Sequence, residues 1–168
     1  MLENPPGQFR LKLYWEPGYF WQDETFERRW CAAFDYDGYP CWYGRDSTDC
    51  NSNEMYMTRC RDEPNQRFTF IEAGNNEVVI RLGNGENRCW ERYRRRIFLR
   101  PCDTGNPLQR WYAPNGDFNG PRFEMSQRGF DSQCVSNDHH PKEGEVVELH
   151  SCTGSRAPDS ETSFWNKY

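Results

Sequence analysis

The sequence contains no long apolar run, and this absence limits where the protein can act. Apolar residues make up only 35% of the 168 residues, and no stretch approaches the roughly 18 apolar residues that a membrane-spanning helix needs. Residues 1–10 also lack the order of charged, apolar and small residues that marks a secretory signal peptide. We therefore predict no membrane span. We expect that a targeting segment has been removed or that the first residues are an artificial start.

Catalytic motifs are also missing. The sequence has no Gly-x-Ser-x-Gly elbow, no His-Glu-x-x-His metal motif and no glycine-rich phosphate loop. The chain is acidic overall, with 21 Lys and Arg against 26 Asp and Glu, which argues against general binding to nucleic acids. We predict a protein that is not an enzyme, needs no cofactor and binds no nucleic acid.

The eight cysteines lack the Cys-x-x-Cys spacing that is typical of zinc sites. His139 and His140 are adjacent, which is typical of an exposed turn, so we predict no metal site. A chain with this many cysteines fits an oxidising compartment better than the cytosol. We therefore expect the protein to be secreted or to reside in the lumen of an organelle.

Large aromatic side chains must supply much of the core, because Leu and Ala are scarce. The sequence has 7 Trp, 9 Tyr and 11 Phe together with 13 Gly and 11 Pro, a composition that favours strands and turns over helices. The length suits one compact domain. We therefore predict an all-β fold.

One pattern occurs three times along the chain. A short strand with alternating apolar residues ends just before each of Cys60, Cys102 and Cys152, and a polar turn and an aromatic strand follow each cysteine. The apolar pairs are Met55 and Met57, Ile97 and Leu99, and Val147 and Leu149. The aromatic strands begin with Gln66-Arg67-Phe68, Gln109-Arg110-Trp111 and Ser163-Phe164-Trp165.

Another candidate strand stands ahead of each unit, over residues 9–15, 78–82 and 122–125. The pattern therefore predicts three units of about four strands each, over about 8–72, 76–114 and 121–168. The last aromatic strand ends at Tyr168, and we expect residues 1–168 to form a single domain.

The repeated Cys…Cys…Gln-x-Trp pattern resembles the ricin-B-type β-trefoil lectins over most of the chain. The segment from Cys134 to Cys152 is the closest match, whereas Ser163-Phe164-Trp165 departs from the Gln-x-Trp element. The resemblance implies a disulfide-stapled β-trefoil of three four-stranded units. Residues 14–30 then form a long aromatic-rich insertion in unit one, either a cap on the barrel or a docking surface.

The resemblance also implies the disulfide pairing, because these lectins join the opening and closing cysteines of a unit. It assigns Cys89–Cys102 in unit two and Cys134–Cys152 in unit three. Unit one has four cysteines, and two pairings keep a family-like spacing. The nested pairing, Cys31–Cys60 with Cys41–Cys50, is preferred over the crossed pairing, Cys31–Cys50 with Cys41–Cys60.

Sugar sites in the family need an acid just after the opening cysteine, a ring two residues before the closing cysteine, and an Asn beside the Gln-x-Trp glutamine. No unit here keeps all three. The best partial sets predict carbohydrate binding, to a glycan or glycoprotein, by Asp35, Asn65 and Gln66 in unit one and by Asp138 and His150 in unit three. In unit one Thr58 stands at the ring position, and Tyr43 or Tyr56 is the candidate substitute.

Unit two has six arginines within the segment 88–100, with aromatic residues between them. Strand alternation places Ile97 and Leu99 in the core and turns Arg96, Phe98 and Arg100 outward. An outward aromatic ring between two guanidinium groups suits a protein interface or an anionic ligand. The same arginines could instead pair with carboxylates of this chain.

Two hypotheses of function follow. The first is a non-catalytic, lectin-like module with weak or degenerate sugar specificity. The second is a structural or interaction subunit that docks onto a protein partner in an extracellular or lumenal assembly, without binding sugar. Docking would use the arginine-rich hairpin 88–100 and the aromatic insertion 14–30.

Overall fold

The computed structural model describes residues 7–13, 30–34, 53–83, 85–114, 118–120, 122–138, 143–152, 161–162 and 164–168. These ranges contain strands and two single 3-10 turns, and the all-β prediction is confirmed. The strands are β1 (Leu11–Leu13), β2 (Trp30–Phe34), β3 (Met55–Arg59), β4 (Phe68–Gly74), β5 (Glu77–Leu82), β6 (Arg88–Tyr93), β7 (Arg96–Pro101), β8 (Arg110–Trp111), β9 (Gln133–Asp138), β10 (Glu148–Ser151), β11 (Glu161–Thr162) and β12 (Trp165–Lys167).

Several predicted features lie outside the described residues. These are Asp35 and Tyr43, the cysteines Cys41 and Cys50, the pair His139 and His140, and the insertion 14–30 apart from Trp30.

Six segments of the chain close into a barrel. Antiparallel pairing joins β12 to β1, β4 to β5 and β5 to β8. Isolated bridges complete the circuit: they join Phe9 to Phe68, Tyr112 to Ser126, and Phe123 to Trp165. The strand expected over 122–125 is therefore reduced to two bridges. The predicted strand over 78–82 lies within β5.

Three hairpins, β2–β3, β6–β7 and β9–β10, are joined to one another in a cycle. In each hairpin the residue three positions before the closing cysteine donates its backbone N–H to a carbonyl of the next hairpin segment. The bonds run from Met57 to Glu145, from Leu99 to Asn53 and from Leu149 to Arg95, each with an N···O distance of 2.7 Å. This cycle gives the three units equivalent positions around one axis.

The core lies inside the barrel and beneath the hairpins. Each unit contributes the two alternating apolar residues before its closing cysteine, and all six are buried, as predicted. Aromatic rings fill much of the centre, where Trp90 makes edge contacts with Phe34, Phe68 and Trp111 at centroid distances of 5.2–6.1 Å. Burial of such large side chains offsets the low apolar fraction of the sequence.

Three disulfides close the units. Cys31–Cys60, Cys89–Cys102 and Cys134–Cys152 are all formed. Each joins the two strands of a hairpin at the end where the chain enters and leaves it. The Cys31–Cys60 bond excludes the crossed pairing in unit one.

The glutamine of the Gln-x-Trp element fastens the turn that follows the closing cysteine. In unit two, Gln109 Oε1 accepts the N–H of Asp103 at 2.8 Å, and its Nε2 donates to the carbonyl of Pro101 at 2.9 Å. These two residues flank Cys102 on either side. Gln66 makes the same two bonds around Cys60, to Arg61 and Arg59. Both glutamines are buried, so their amides satisfy backbone groups that water cannot reach.

The tryptophan of the same element also has a structural partner. The Trp111 indole donates to the carbonyl of Trp90 at 3.3 Å, and the Trp165 indole donates to the carbonyl of Val135 at 2.9 Å. Trp90 and Val135 each follow the opening cysteine of their unit. Phe68 occupies this place in unit one and has no N–H to donate, so that unit lacks the bond.

The sequence pattern predicts that strand β3 is buried on one side only, but the structure buries both of its sides. Tyr56 and Thr58, which alternate with the core methionines, are both about 1% exposed. The segment from Glu143 to Val146 of unit three covers their side of the strand, since Gly144 donates to Met57 and Val146 bridges to Tyr56. The side of β3 that carries Tyr56 and Thr58 is therefore covered by unit three, whereas the corresponding sides of the other two hairpins face outward.

A tyrosine ties unit two to unit three. The Tyr112 hydroxyl donates a short hydrogen bond to Asp131, and the Arg128 guanidinium lies 3.9 Å from the centroid of the Tyr112 ring. Burial raises the pKa of Tyr112, and the bond to Asp131 adds to the increase. The same bond lowers the pKa of Asp131, since it stabilises the carboxylate.

We expect Gln109→Leu to lower the free energy of unfolding by about 2 kcal/mol, because a backbone N–H and a carbonyl beside Cys102 lose their partners. Chemical denaturation with the disulfides intact measures the change. Gln133→Leu is the matched control: among the described residues, the side chain of this glutamine has a single hydrogen bond, an exposed one accepted from Arg95, and its replacement should cost less than about 0.5 kcal/mol. Equal effects of the two substitutions would contradict the role given to Gln109.

We expect Tyr112→Phe to reduce the pH dependence of the melting temperature at both ends. The pKa of Asp131 is lowered in the folded state, so its stabilising contribution is complete above the ordinary carboxyl pKa and is lost as the pH falls. The pKa of Tyr112 is raised, so its contribution is complete below the ordinary phenol pKa and is lost as the pH rises. Asp131→Asn should remove the acid-side effect of that carboxylate, as melting curves from pH 2 to 11 would test.

Candidate binding face on the second hairpin

The predicted sugar residues of unit one are buried. Asn65 Nδ2 donates to the carbonyl of Phe34 and to the hydroxyl of Tyr56, each at 3.2 Å. Asn65 and Gln66 have no exposed surface, and Gln66 uses both ends of its amide on backbone groups. Tyr56 is buried too and offers no free ring. Asn65 and Gln66 therefore stabilise unit one. Sugar binding at this unit, which would also involve Asp35, stays a prediction.

A carboxylate of unit three occupies the ring position of unit one. Glu143 Oε2 accepts from the Thr58 hydroxyl at 2.7 Å, and Glu143 Oε1 accepts from the backbone N–H of Arg59 at 3.0 Å. The Arg61 guanidinium lies 3.5 Å from the same oxygen. The Glu143 carboxylate therefore covers the Thr58 position, where a sugar site would present its stacking ring.

The predicted pair of unit three is separated along its hairpin. His150 pairs with Cys134 across the strands, whereas Asp138 lies four residues further along β9 and pairs with Glu161. At about 3.3 Å per residue, this separation is about 13 Å. The carboxylate beside the imidazole is instead that of Glu148, with 3.7 Å between its Oε2 and Nε2 of His150.

Arg96 forms ion pairs within the protein. Its Nη1 lies 3.0 Å from Glu54 Oε1, and its Nη2 lies 3.6 Å from Glu148 Oε1. Glu54 belongs to unit one and Glu148 to unit three, so the guanidinium connects all three units. The side chain is turned outward, as predicted, and is 48% exposed, but its charge is balanced by this chain.

Three more arginines of the hairpin also have internal partners. Arg88 contacts Glu86 at 3.3 Å and Asn53 at 3.0 Å. Arg95 donates to Gln133 at 3.1 Å. Arg92 donates to Gln127 at 2.8 Å, and burial lowers its pKa below the ordinary value.

Arg94 and Arg100 lie against aromatic rings. Arg94 lies over the Tyr93 ring at 5.5 Å, and Arg100 lies over the Phe98 ring at 4.9 Å. Among the residues that the structure describes, neither guanidinium has a carboxylate partner. Arg100 donates from Nη1 to the carbonyl of Leu99 at 2.9 Å.

Glu91 is the residue that the sequence interpretation missed. Its Oε1 accepts from Asn106 Nδ2 at 3.0 Å and from Gln109 Nε2 at 3.1 Å. Within the described part of the chain, Oε2 has no hydrogen-bond donor. Glu91 stands two residues after Cys89, where the family resemblance expects the acid, so the signal was present in the spacing.

Glu91 lies on the same side of the hairpin as Tyr93, Phe98 and Arg100. It pairs directly with Phe98, and Arg100 follows Phe98 by two residues on the same face. Tyr93 is 60% exposed, and its ring contacts Phe98 at 6.4 Å between centroids. We call this surface the hairpin face; its residues are Glu91, Tyr93, Arg94, Phe98, Arg100 and Asn106.

A separate cavity of about 810 Å³ lies beside the turn between β4 and β5. Phe70 and Phe118 line it, together with Glu72, Tyr112 and Lys167. Phe70 packs edge-on against Phe118 at 4.8 Å, and the Lys167 ammonium lies 5.0 Å from the Phe70 ring. The rings of this cavity are therefore already in contact with groups of the same chain.

One group of metal-ligating residue types occurs in the described ranges: Glu124, Cys134 and Cys152. The two sulfurs are bonded to each other, so they cannot act as thiolate ligands. In the same ranges, no helix has the length and apolar character needed to cross a bilayer.

Comparisons with solved structures establish the fold. The designed threefold-symmetric protein ThreeFoil aligns over 96% of this chain and 97% of its own, with a TM-score of 0.62 and 11% sequence identity. The architecture is a β-trefoil. The BEL β-trefoil aligns over 99% and 95% of the two chains at a TM-score of 0.58 and 11% identity. The Haemophilus ducreyi cytolethal distending toxin aligns over 96% and 82% at a TM-score of 0.55 and 14% identity.

Sequence comparisons gave no match. No family model matches the chain, and no curated protein matches it. At identities of 11–14% the structural likeness shows the fold alone.

We expect Arg96→Gln and Arg100→Gln to differ in their effect on stability. Arg96→Gln should lower the free energy of unfolding by about 1 kcal/mol, because Glu54 is only 11% exposed and loses its nearest cation. Arg100→Gln should change it by less than about 0.5 kcal/mol, since it breaks no ion pair. Denaturation of the two variants beside the parent protein measures both values. A larger loss in Arg100→Gln would mean that the hairpin face is a structural contact.

Proposed function

We propose that the protein is a non-catalytic β-trefoil module that binds carbohydrate weakly through the hairpin face of unit two. The observation that supports this most is the Glu91 carboxylate, which two amides hold in place beside the exposed Tyr93 ring and the half-buried Phe98 ring. Carbohydrate sites commonly combine a fixed acceptor for hydroxyl groups with an apolar ring for the C–H face of the sugar. The described residues of units one and three keep less of this combination.

Each group of the face has a defined part in this proposal. Glu91 Oε2 accepts from sugar hydroxyl groups, and such charge-assisted hydrogen bonds are stronger than neutral ones. Asn106 and Gln109 keep Oε1 in place, so little side-chain entropy is lost on binding. The Tyr93 and Phe98 rings provide apolar surface. The site is shallow, which favours low affinity.

Docking onto a protein is the second candidate function. It is favoured by Arg94 and Arg100, whose charges no described carboxylate balances, and by the exposed Tyr93 ring, over which Arg94 lies. Tyr and Arg are enriched at the energetic centres of protein interfaces. A partner that places acidic side chains beside Arg94 or Arg100, away from Glu91, would suit this face.

The proposed location is an oxidising compartment, either outside the cell or in the lumen of an organelle. The three disulfides Cys31–Cys60, Cys89–Cys102 and Cys134–Cys152 support it. A glycan or glycoprotein ligand is available in both places.

We expect Glu91→Gln to weaken glycan binding by about tenfold or more, because a charge-assisted bond to the sugar is lost. A glycan array identifies the ligands, and calorimetry on the parent and the variant measures the affinities. Glu72→Gln is the matched control, since this exposed glutamate lies on β4, away from the hairpin face.

Two other variants locate the site. His150→Ala tests unit three and Asn65→Ala tests unit one, and neither should change the affinity. Loss of binding in His150→Ala, with Glu91→Gln unchanged, would place the sugar in unit three and reject the hairpin face. Absence of any glycan ligand on the array would favour the docking function.

A further inference from the structure

Resting on the proposed carbohydrate-binding function, we propose that the hairpin face selects acidic sugars, in which one ring carries both hydroxyl groups and a carboxylate or sulfate. Arg100 is the residue that would receive the anionic group. The inference starts from its place in the unit: it stands two residues before Cys102, where the resemblance expects a stacking ring. The substitution replaces an apolar plane by a cationic one.

Arg100 has no carboxylate partner among the described residues, although the chain has more acidic than basic residues. On the same hairpin Arg88 and Arg96 have carboxylates within 3.6 Å, and Arg92 and Arg95 donate to glutamine side chains. A guanidinium that is left without an internal anion can receive one from a ligand.

Arg100 is also held in position before any ligand arrives. Its guanidinium stacks over the Phe98 ring at 4.9 Å, and Nη1 donates to the carbonyl of Leu99 at 2.9 Å. No described residue accepts a hydrogen bond from Nε or Nη2, and these two atoms form one edge of the planar fork that binds a carboxylate or a sulfate with two parallel bonds. Because the side chain is already ordered, less entropy is lost on binding.

The geometry requires both chemical groups on one ligand. Glu91 faces Phe98 across the strands, and Arg100 lies two residues further, a spacing of about 7 Å along the strand. A pyranose that lies beside Phe98 can donate a hydroxyl to Glu91 and direct an anionic substituent toward the open edge of Arg100. A ligand with only anionic groups is repelled by Glu91, so the face disfavours simple polyanions. A neutral sugar can donate hydroxyl groups to Glu91 but has no anionic group for Arg100.

Binding measurements with four probes test the inference. The probes are trigalacturonic acid, a sulfated galactose trisaccharide, neutral galactotriose and a poly-glutamate peptide, each titrated calorimetrically at 50 and 300 mM NaCl. We expect at least one of the two acidic sugars to bind about five- to tenfold more tightly than galactotriose at low salt. Comparison of the carboxylated and the sulfated probe shows which anion is preferred.

Arg100→Gln should bring the acidic sugar down to the affinity of galactotriose and leave galactotriose unchanged. Arg100→Lys keeps the charge without the planar fork and should retain only part of the preference. Arg128→Gln, which removes the same charge beside Tyr112, is the matched control and should have no effect. Unchanged melting temperatures confirm that each variant is folded, and if Arg100→Gln fails to fold, Arg100→Lys and the salt dependence of the parent protein decide.

The possible results separate this inference from the function beneath it. Equal affinity for acidic and neutral sugars, with no effect of Arg100→Gln, would overturn the inference and leave carbohydrate binding in place. No binding of any sugar would overturn both. If the poly-glutamate peptide binds as tightly as the acidic sugars and is lost in Arg100→Gln, the face is a docking site for acidic protein segments, and the sugar inference is wrong.

Discussion

The cycle of three backbone hydrogen bonds between the hairpins is the constraint on which the rest of the structure depends. Met57, Leu99 and Leu149 each donate an N–H to the next hairpin segment, while their side chains fill the core. Each also stands three residues before a closing cysteine. Because side chains alternate along a strand, fixing these positions determines which side chains face outward on every hairpin. The hairpin face is exposed as a consequence of this register.

Much of this frame could be predicted from the sequence, because it depends on local spacing. The apolar pairs before the cysteines and the alternation of β7, which turns Phe98 and Arg100 away from the core, are properties of short segments, and the structure confirms them. The alternation predicted for β3 fails because unit three covers Tyr56 and Thr58. The ion pairs of Arg96 could not be predicted in this way. Glu54 and Glu148 lie in the other two units and meet this guanidinium only when all three hairpins are joined.

The role of the side-chain amides was equally hard to read from the pattern. Asn65 and Gln66 occur in a motif that the resemblance associates with sugar, yet both are buried against backbone groups. Side-chain amides can bind sugars or satisfy buried backbone groups, so the sequence pattern does not distinguish these two roles. The spacing of Glu91 from Cys89 is visible in the sequence, but Arg100 stands where a sugar site needs a ring, so the pattern of unit two favours a docking surface over a sugar site.

The side-chain amide of Gln109 connects the backbone beside the Cys89–Cys102 disulfide to the hairpin face. Its Nε2 donates both to the carbonyl of Pro101, next to the disulfide, and to the carboxylate of Glu91. Occupation of the face and closure of the unit are therefore coupled through one side chain. A ligand that orders Glu91 should also slow the opening of the turn after Cys102, so that hydrogen exchange of the Asp103 amide would report on events at the surface.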